Sequence, residues 1–405
     1  MRRARLRTRI AALAGLATVL ALTGQAPAAH AHAVGDPLSG RVRLYVEPDG
    51  NAERQARRWA AEGRTEDAAL MRAMAKIPQA VWFTDGTPAQ VERRVRDVMR
   101  RARRQNAVPV LVAYYVPGRD CSQYSAGGAP DERTYKRWID AFARGIGGGR
   151  AVVIVEPDGL ALLSSEPWCN DGGGGSTGEP EDMSLVEQRF REIRHAIAVF
   201  SRLPRTGVYV DAGHSAWHEL NDYDAGYGEP RIQPGIVSRL MRGGVAGADG
   251  FVLNVSNYRT DAELIEYGTR VSKCLWLRTR TGAASCSEDD LAAVPDDARG
   301  LTPFVLDTSR NGRGPWTAPP GLYPDPQEWC NPPGRGLGAR PGTRTGDRLV
   351  RAFLWVKRPG ESDGQCTRGT AGPEDPEYGI VDPPAGQWWP EQALDLARRA
   401  VPPLR

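Results

Sequence analysis

The chain has 405 residues, a quarter of them charged, and a formal net charge of +4. Five of its arginines (Arg2, Arg3, Arg5, Arg7, Arg9) fall in an N-terminal leader, and without them 48 basic residues face 49 acidic ones. That balance argues against nucleic acid or an anionic membrane as the partner.

The leader, residues 1–33, has a basic start (MRRARLRTR), an apolar run (IAALAGLATVLAL) and A-x-A cleavage sites in APAAHAHA. The apolar run is too short to span a bilayer and no later run is long enough. The expectation is a signal peptide followed by a secreted, extracellular, monomeric protein. Residues 34–405 then form one domain with its core at about 41–402. Six cysteines in an exported chain point to disulfides, with 15 pairings open from sequence alone. No C-x-x-C spacing occurs, which speaks against zinc and thioredoxin-like chemistry.

The elements alternate. RLYVEP (residues 43–48) reads as a first strand, followed by helices near 52–62 and 65–75. AVWFTDG (80–86) is a second strand. Thr87 then caps a helix with Pro88 at its first position and Gln90 completing a capping box. VPVLVAYYV and AVVIVEP are the third and fourth strands. Between them Tyr135, Trp138, Ile139 and Phe142 follow i, i+3, i+4, i+7 helical spacing. A Gly-rich loop leads to a long helix near 184–202, and GVYVDAGHSAWH supplies strand five. GFVLNVSNYR is strand six, with a helix near 261–272 after it and then an irregular insert. TPFVLDTSRNG and AFLWVKRPGESDG are strands seven and eight, and residues 391–400 form a closing helix. Such alternation implies a parallel α/β barrel or a doubly wound sheet. The barrel is preferred, because polar residues stand at nearly every strand end: Asp120, Asp158, Asp211, Asn254, Asp307, and Lys357 with Glu361 and Asp363.

A single acid at a strand end is as readily a cap for the next helix as a catalytic group. Several at one rim are costly unless they do work. Trp82, Trp217 and Trp329 lie near the same ends, and each is otherwise a core residue. Indole faces beside carboxylates suit sugar rings, and paired carboxylates without a cofactor motif point to glycoside hydrolysis. Competing signals are weaker. GHSAW falls short of the G-x-S-x-G of serine hydrolases. His214 and His218 are spaced i, i+4 but lack a third ligand, and Gly172–Gly175 lacks the Lys-Ser/Thr of a phosphate loop. No metal and no cofactor are expected.

Seven ordered pieces carry a family resemblance: YYVPGRDCSQYSAGGA, VIVEPDGL, VYVDAGHSAWH, LNVSNYR, VLDTSRNGRGP, EWCNP and LWVKRPGESDG. Through them the sequence resembles glycoside hydrolase family 6, the cellulases that include endoglucanases and cellobiohydrolases, over nearly all of the chain beyond the leader. The resemblance implies a distorted α/β barrel, usually of seven strands, and inverting, metal-free hydrolysis of β-1,4-glucan, the expected partner being cellulose or soluble cello-oligosaccharides. By motif, Asp158 resembles the general acid and Asp120 the second carboxylate that tunes it. Asp363 resembles the proposed base, Asp211 a further acidic site residue, and Tyr114 the tyrosine beside the sugar at the cleavage point. Trp82, His214, Trp217, Asn254, Trp329, Lys357 and Glu361 match sugar-binding positions. One departure is that the family's water-positioning Ser aligns with Ala126, with Ser125 beside it. Family-like disulfides are Cys121–Cys169 and Cys330–Cys366, which leaves Cys274 and Cys286 for each other. Short segments after Asp158 and Cys330 favour an endoglucanase, whereas the Pro/Gly-rich stretch 367–387 lies where a cellobiohydrolase keeps a covering loop. A serine esterase and a non-catalytic carbohydrate-binding protein are the rival classes.

Overall fold

The computed structural model describes residues 36–120, 123–163, 183–224 and 232–404. The leader and one expected disulfide, Cys121–Cys169, lie outside these residues. Strands β1 (Val81–Phe83), β2 (Val110–Ala113), β3 (Ala151–Val155), β4 (Thr206–Asp211), β7 (Gly250–Leu253), β8 (Phe304–Asp307) and β9 (Val350–Leu354) form one sheet in that order. Every pairing in it is parallel. The two-residue strands β5 (Tyr223–Asp224) and β6 (Ile232–Gln233) make a small antiparallel pair apart from it. The α-helices among the described residues are α1 (Asn51–Ala61), α2 (Thr65–Ala75), α3 (Pro88–Arg104), α4 (Glu132–Ile146), α5 (Met183–Phe200), α6 (Ile236–Gly243), α7 (Asp261–Thr281), α8 (Glu288–Ala293) and α9 (Pro390–Arg398). No helix among the described residues is long and apolar enough to cross a membrane.

Among the described residues the sheet has seven strands, the number the family resemblance implies and the lower end of the expected seven to eight. Residues 43–48 contribute only a bridge from Leu44 to Val108, because Leu44 turns inward to plug the bottom of the sheet with Leu38 and Val42. The insert after α7 is also less irregular than expected. Helix α7 runs on to Thr281, where Gly282 takes the left-handed conformation that ends it, and a Ser287 capping box starts α8.

Alternation along each strand divides the core. Val110, Val112, Val152, Ile154, Tyr209, Val252, Val305, Ala352 and Leu354 point into the curled sheet. Leu111, Ala113, Val153, Val155, Val208 and Val210 face out, against Tyr135, Trp138, Phe142, Phe190 and Phe200 of α4 and α5. The edge strands β1 and β9 do not share a ladder. Two bonds span the seam between them: Ala80 N–H donates to Trp355 O at 2.9 Å, and the Trp82 indole donates to Val356 O at 2.8 Å. Trp82 therefore closes the sheet as well as facing the opening above it.

The remaining expected disulfides, Cys274–Cys286 and Cys330–Cys366, are both formed. The first closes a 12-residue separation between α7 and the start of α8. Replacing both of its cysteines with Ser should cost about 2–3 kcal/mol. The melting temperature should fall by several degrees, and calorimetry showing no change would contradict this.

Candidate functional site

Above the carboxyl ends of the strands lies a cleft of about 910 Å³. Its position follows from the parallel sheet, which aims every strand end at one rim. Ten of the expected residues line it: Trp82, Tyr114, Asp120, Asp158, His214, Trp217, Trp329, Lys357, Glu361 and Asp363.

Asp211 and Asn254 do not. Asp211 is buried beneath the rim, where one carboxylate oxygen accepts the N–H of Asp158 at 3.0 Å and of Gly213 at 3.3 Å. Asn254, at φ +70°, donates to Asp307 O at 2.8 Å and accepts from Arg259 N–H at 3.0 Å. Its side chain is thus spent on backbone, and the structure leaves it without access to a ligand in the cleft. Both residues act by shaping the loops that do line it.

Other buried acids do the same. Glu156 accepts Tyr115 N–H at 2.7 Å and Val116 N–H at 3.1 Å, tying the β2 loop to the end of β3. Asp307 collects the N–H groups of Ser256, Ser309, Val356 and Lys357 at 2.9–3.2 Å, which unites the loops after β7, β8 and β9. Two buried arginines hold the turn that follows Asp158. Arg189 donates to Gly159 O at 2.9 Å, and Arg239 to Leu160 O at 3.1 Å.

The lining carboxyl groups Asp158 and Asp120 are both raised above the usual carboxylate range. Burial pushes Asp158 well above the usual carboxylate range, and the charges of Asp211 and Asp120 push the same way. Tyr114 hydroxyl lies 3.3 Å from Asp158 Oδ2 and opposes the shift. Asp120, at φ +59°, is raised by burial to about 6, although Ser125 N–H donates to it at 2.6 Å.

Asp363 is the opposite case. Burial disfavours its charge, yet Arg310 at 2.8 Å and Lys357 at 2.9 Å win and hold it down at about 2. Tyr258 hydroxyl at 3.2 Å and Asn331 N–H at 3.0 Å also donate to it. Three of these donors converge on Oδ2, while Lys357 meets Oδ1.

The aromatic lining is larger than expected, with Tyr124, Tyr258 and Trp316 added to the three tryptophans. Trp217 and Trp329 are 36% and 39% exposed, so their faces are available to a ligand. Trp82 stands edge-on to Tyr114 at 5.4 Å. Burial holds His214 down at about 4, with Arg259 adding to the shift, so it is neutral near pH 7. Glu361 is fixed by Asn51 and Arg358, each at 3.0 Å. Among the residues the sequence reading passed over, Arg310 matters most. It sits in TSRNG and Tyr258 in SNYR, both inside quoted motifs, so the signal was present without a role attached.

The described Cys366, Asp375 and Asp382 lie close enough together to hold a metal ion. Cys366 is bound to Cys330 and both Asp375 oxygens are taken by Arg368, so the chemistry of this set does not favour one.

Residues 39–400 match the family model described as glycosyl hydrolases family 6. The chain is 35% identical over 367 residues to "Endoglucanase A" of Cellulomonas fimi, spanning 90% of this chain but only 62% of that protein. It is 35% identical over 395 residues to "Endoglucanase 1" of Streptomyces halstedii, covering 97% of this chain and 98% of that one. The structure of the endoglucanase Cel6 from Mycobacterium tuberculosis in complex with methyl-cellobiosyl-4-deoxy-4-thio-β-D-cellobioside is similar in fold. Its TM-score is 0.66 at 34% identity, with 90% of this chain and 99% of that chain covered.

Asp211 provides a test independent of any activity. Burial raises it from 3.8 to about 7. A carboxyl raised on folding stabilises fully below its unfolded value and loses that contribution as pH rises through its folded value. The wild-type melting temperature should therefore carry a falling component between pH 4 and 7. Asp211→Asn keeps an oxygen for the two N–H donors and removes the titration. Its melting temperature relative to wild type should rise by a few degrees across that window; a constant difference would refute the shift.

Proposed function

Because the chain belongs to glycosyl hydrolase family 6, we propose that it hydrolyses internal β-1,4-glucosidic bonds of cellulose or a related β-glucan, with inversion at the anomeric carbon. The observation that carries this reading is the contrast across the cleft. A buried carboxyl group that keeps its proton, Asp158, shares the site with a carboxylate fixed in its charged form, Asp363. Environments that push two carboxyl groups apart in acidity define acid and charge-stabilising roles.

In this reading Asp158 donates its proton to the leaving glycosidic oxygen. Tyr114 supports that carboxyl at 3.3 Å. Asp120, at about 6, raises the pKa of Asp158 through its charge, and in this reading helps in proton transfer. Asp363 supplies fixed negative charge to the oxocarbenium-like transition state. Its Oδ1, where Lys357 is the donor, is the oxygen with room to accept a proton from water, whereas Oδ2 is held by Arg310, Tyr258 and Asn331. Ala126 offers no hydroxyl for water positioning. Ser125 lines the cleft beside it and is the alternative. Trp82, Trp217 and Trp329 provide stacking platforms for successive glucosyl rings, and Lys357, Glu361 and neutral His214 the polar contacts.

The names of the two curated relatives support internal cutting, as do the short segments noted in the sequence. Against it, Ala385, Gly386 and Gln387 of the 367–387 stretch line the cleft wall. A cellobiohydrolase on the same fold is therefore the second reading. The leader supports secretion, in keeping with a polymeric substrate that cannot enter a cell, and residues 34–405 would be the catalytic domain.

Asp158→Ala should abolish hydrolysis of carboxymethylcellulose while leaving folding and oligosaccharide binding intact. Dinitrophenyl glycosides, whose leaving group needs little protonation, should suffer less. Wild-type-like activity of the variant on glucan would refute the acid assignment.

Viscosity of soluble cellulose should drop fast relative to reducing ends released, and proton NMR should show α-anomers as first products. Slow viscosity loss with cellobiose alone would favour the second reading. Fresh β-anomers would overturn inversion.

A further inference from the structure

The EWCNP motif places Asn331 directly after Cys330, on a segment tied by disulfide to Cys366. Asn331 is fully buried and sits at φ +40°. It grips the Asp363 loop at two points on the same residue. Its backbone N–H donates to Asp363 Oδ2 at 3.0 Å, and its side-chain Oδ1 accepts the backbone N–H of Asp363 at 2.8 Å. The amide nitrogen points the other way, to Gly364 O at 2.9 Å and Asp382 Oδ2 at 2.8 Å. These partners permit only one orientation of the amide: Asp363 offers a donor and Gly364 an acceptor, so a flipped side chain would oppose like groups on both sides. Gln392 donates to the same Oδ1 at 2.9 Å and reinforces that choice.

We propose that Asn331 is a positioning residue for Asp363, its side chain fixing the backbone of the loop so that the carboxylate stands where Arg310, Lys357 and Tyr258 converge. Asp382 is the outer anchor that orients the amide. An Asn suits this position for two reasons. It tolerates positive φ better than most residues, and it supplies an acceptor and a donor on one rigid plane without adding charge beside Asp363. The inference rests on the reading of Asp363 as a working group of glucan hydrolysis.

Asn331→Gly tests it with little backbone strain, since glycine adopts positive φ freely. The backbone N–H bond to Asp363 remains possible and only the side-chain template is lost. On carboxymethylcellulose, well below the melting temperature, kcat should fall on the order of tenfold to a hundredfold, with KM within about twofold of wild type because no sugar contact is removed. Gln392→Leu, which trims the same network without touching Asp363, should leave kcat within about twofold. Should Asn331→Gly not fold, Asp382→Leu removes the outer anchor alone and should lower kcat severalfold at unchanged KM. A lowered melting temperature with kcat unchanged in Asn331→Gly, or in Asp382→Leu where Asn331→Gly does not fold, would reduce Asn331 to a structural residue and overturn the proposal. Asp363→Ala, measured in parallel, separates the two failures. If it retains wild-type kcat, the reading of Asp363 is wrong; if it is inactive while the Asn331 and Asp382 variants are not, only the positioning role is wrong.

Discussion

Everything at the rim of this molecule depends on one interaction: a buried carboxylate at a strand end accepting backbone N–H groups from the loop of a neighbouring strand. Glu156 does this for the β2 loop, Asp211 for the turn carrying Asp158, and Asp307 for the loops on both of its sides. Burying a carboxylate costs several kcal/mol unless donors surround it. A parallel sheet makes such donors available, since the residues that leave adjacent strands side by side have unpaired N–H groups at a common level. The rim is therefore held from within, by groups that never meet a ligand.

That arrangement sets the electrostatics of the cleft. Placing Asp211 beneath Asp158, with Asp120 nearby, concentrates negative charge where Asp158 must ionise. The same acid that orients the Asp158 backbone thus also keeps its proton on. On the facing side the logic is inverted. Arg310, wholly buried, has its charge matched by Asp363. Removing either partner would strand the other in a low-dielectric setting, so the pair is both a structural commitment and the source of the fixed negative charge. The proposed polysaccharide substrate suits this cleft, whose lining of indoles and tyrosines offers stacking faces for sugar rings.

Much of the fold was legible in the sequence. Alternating buried strands and amphipathic helices gave a parallel α/β sheet, and Thr87-Pro88-Gln90 marked the start of α3 to the residue. The fate of the first expected strand was not. Residues 43–48 have the composition of a strand, but Leu44 is drawn inward to plug the sheet, and only the closed structure shows the hole it fills. Helix α6 also passed unseen, since eight residues with an Arg at their centre give little periodic signal; Arg239 is buried there only because carbonyls of the β3 loop meet it.

For the site, residue type and motif order by themselves determined which acids and tryptophans gather at one rim, because strand direction is fixed by the βαβ pattern and every strand end must emerge on the same side. They could not determine which of those polar groups reach the cleft. Asp211 and Asn254 stand at strand ends in sequence just as Asp158 and Lys357 do, yet the first pair is taken up by backbone N–H and C=O groups and the second pair lines the opening. Nor could sequence assign charge states. Asp158 and Asp363 are the same amino acid, and only the packing around them, burial beside Asp211 and Asp120 for one and Arg310 with Lys357 for the other, pushes the first pKa up and the second down.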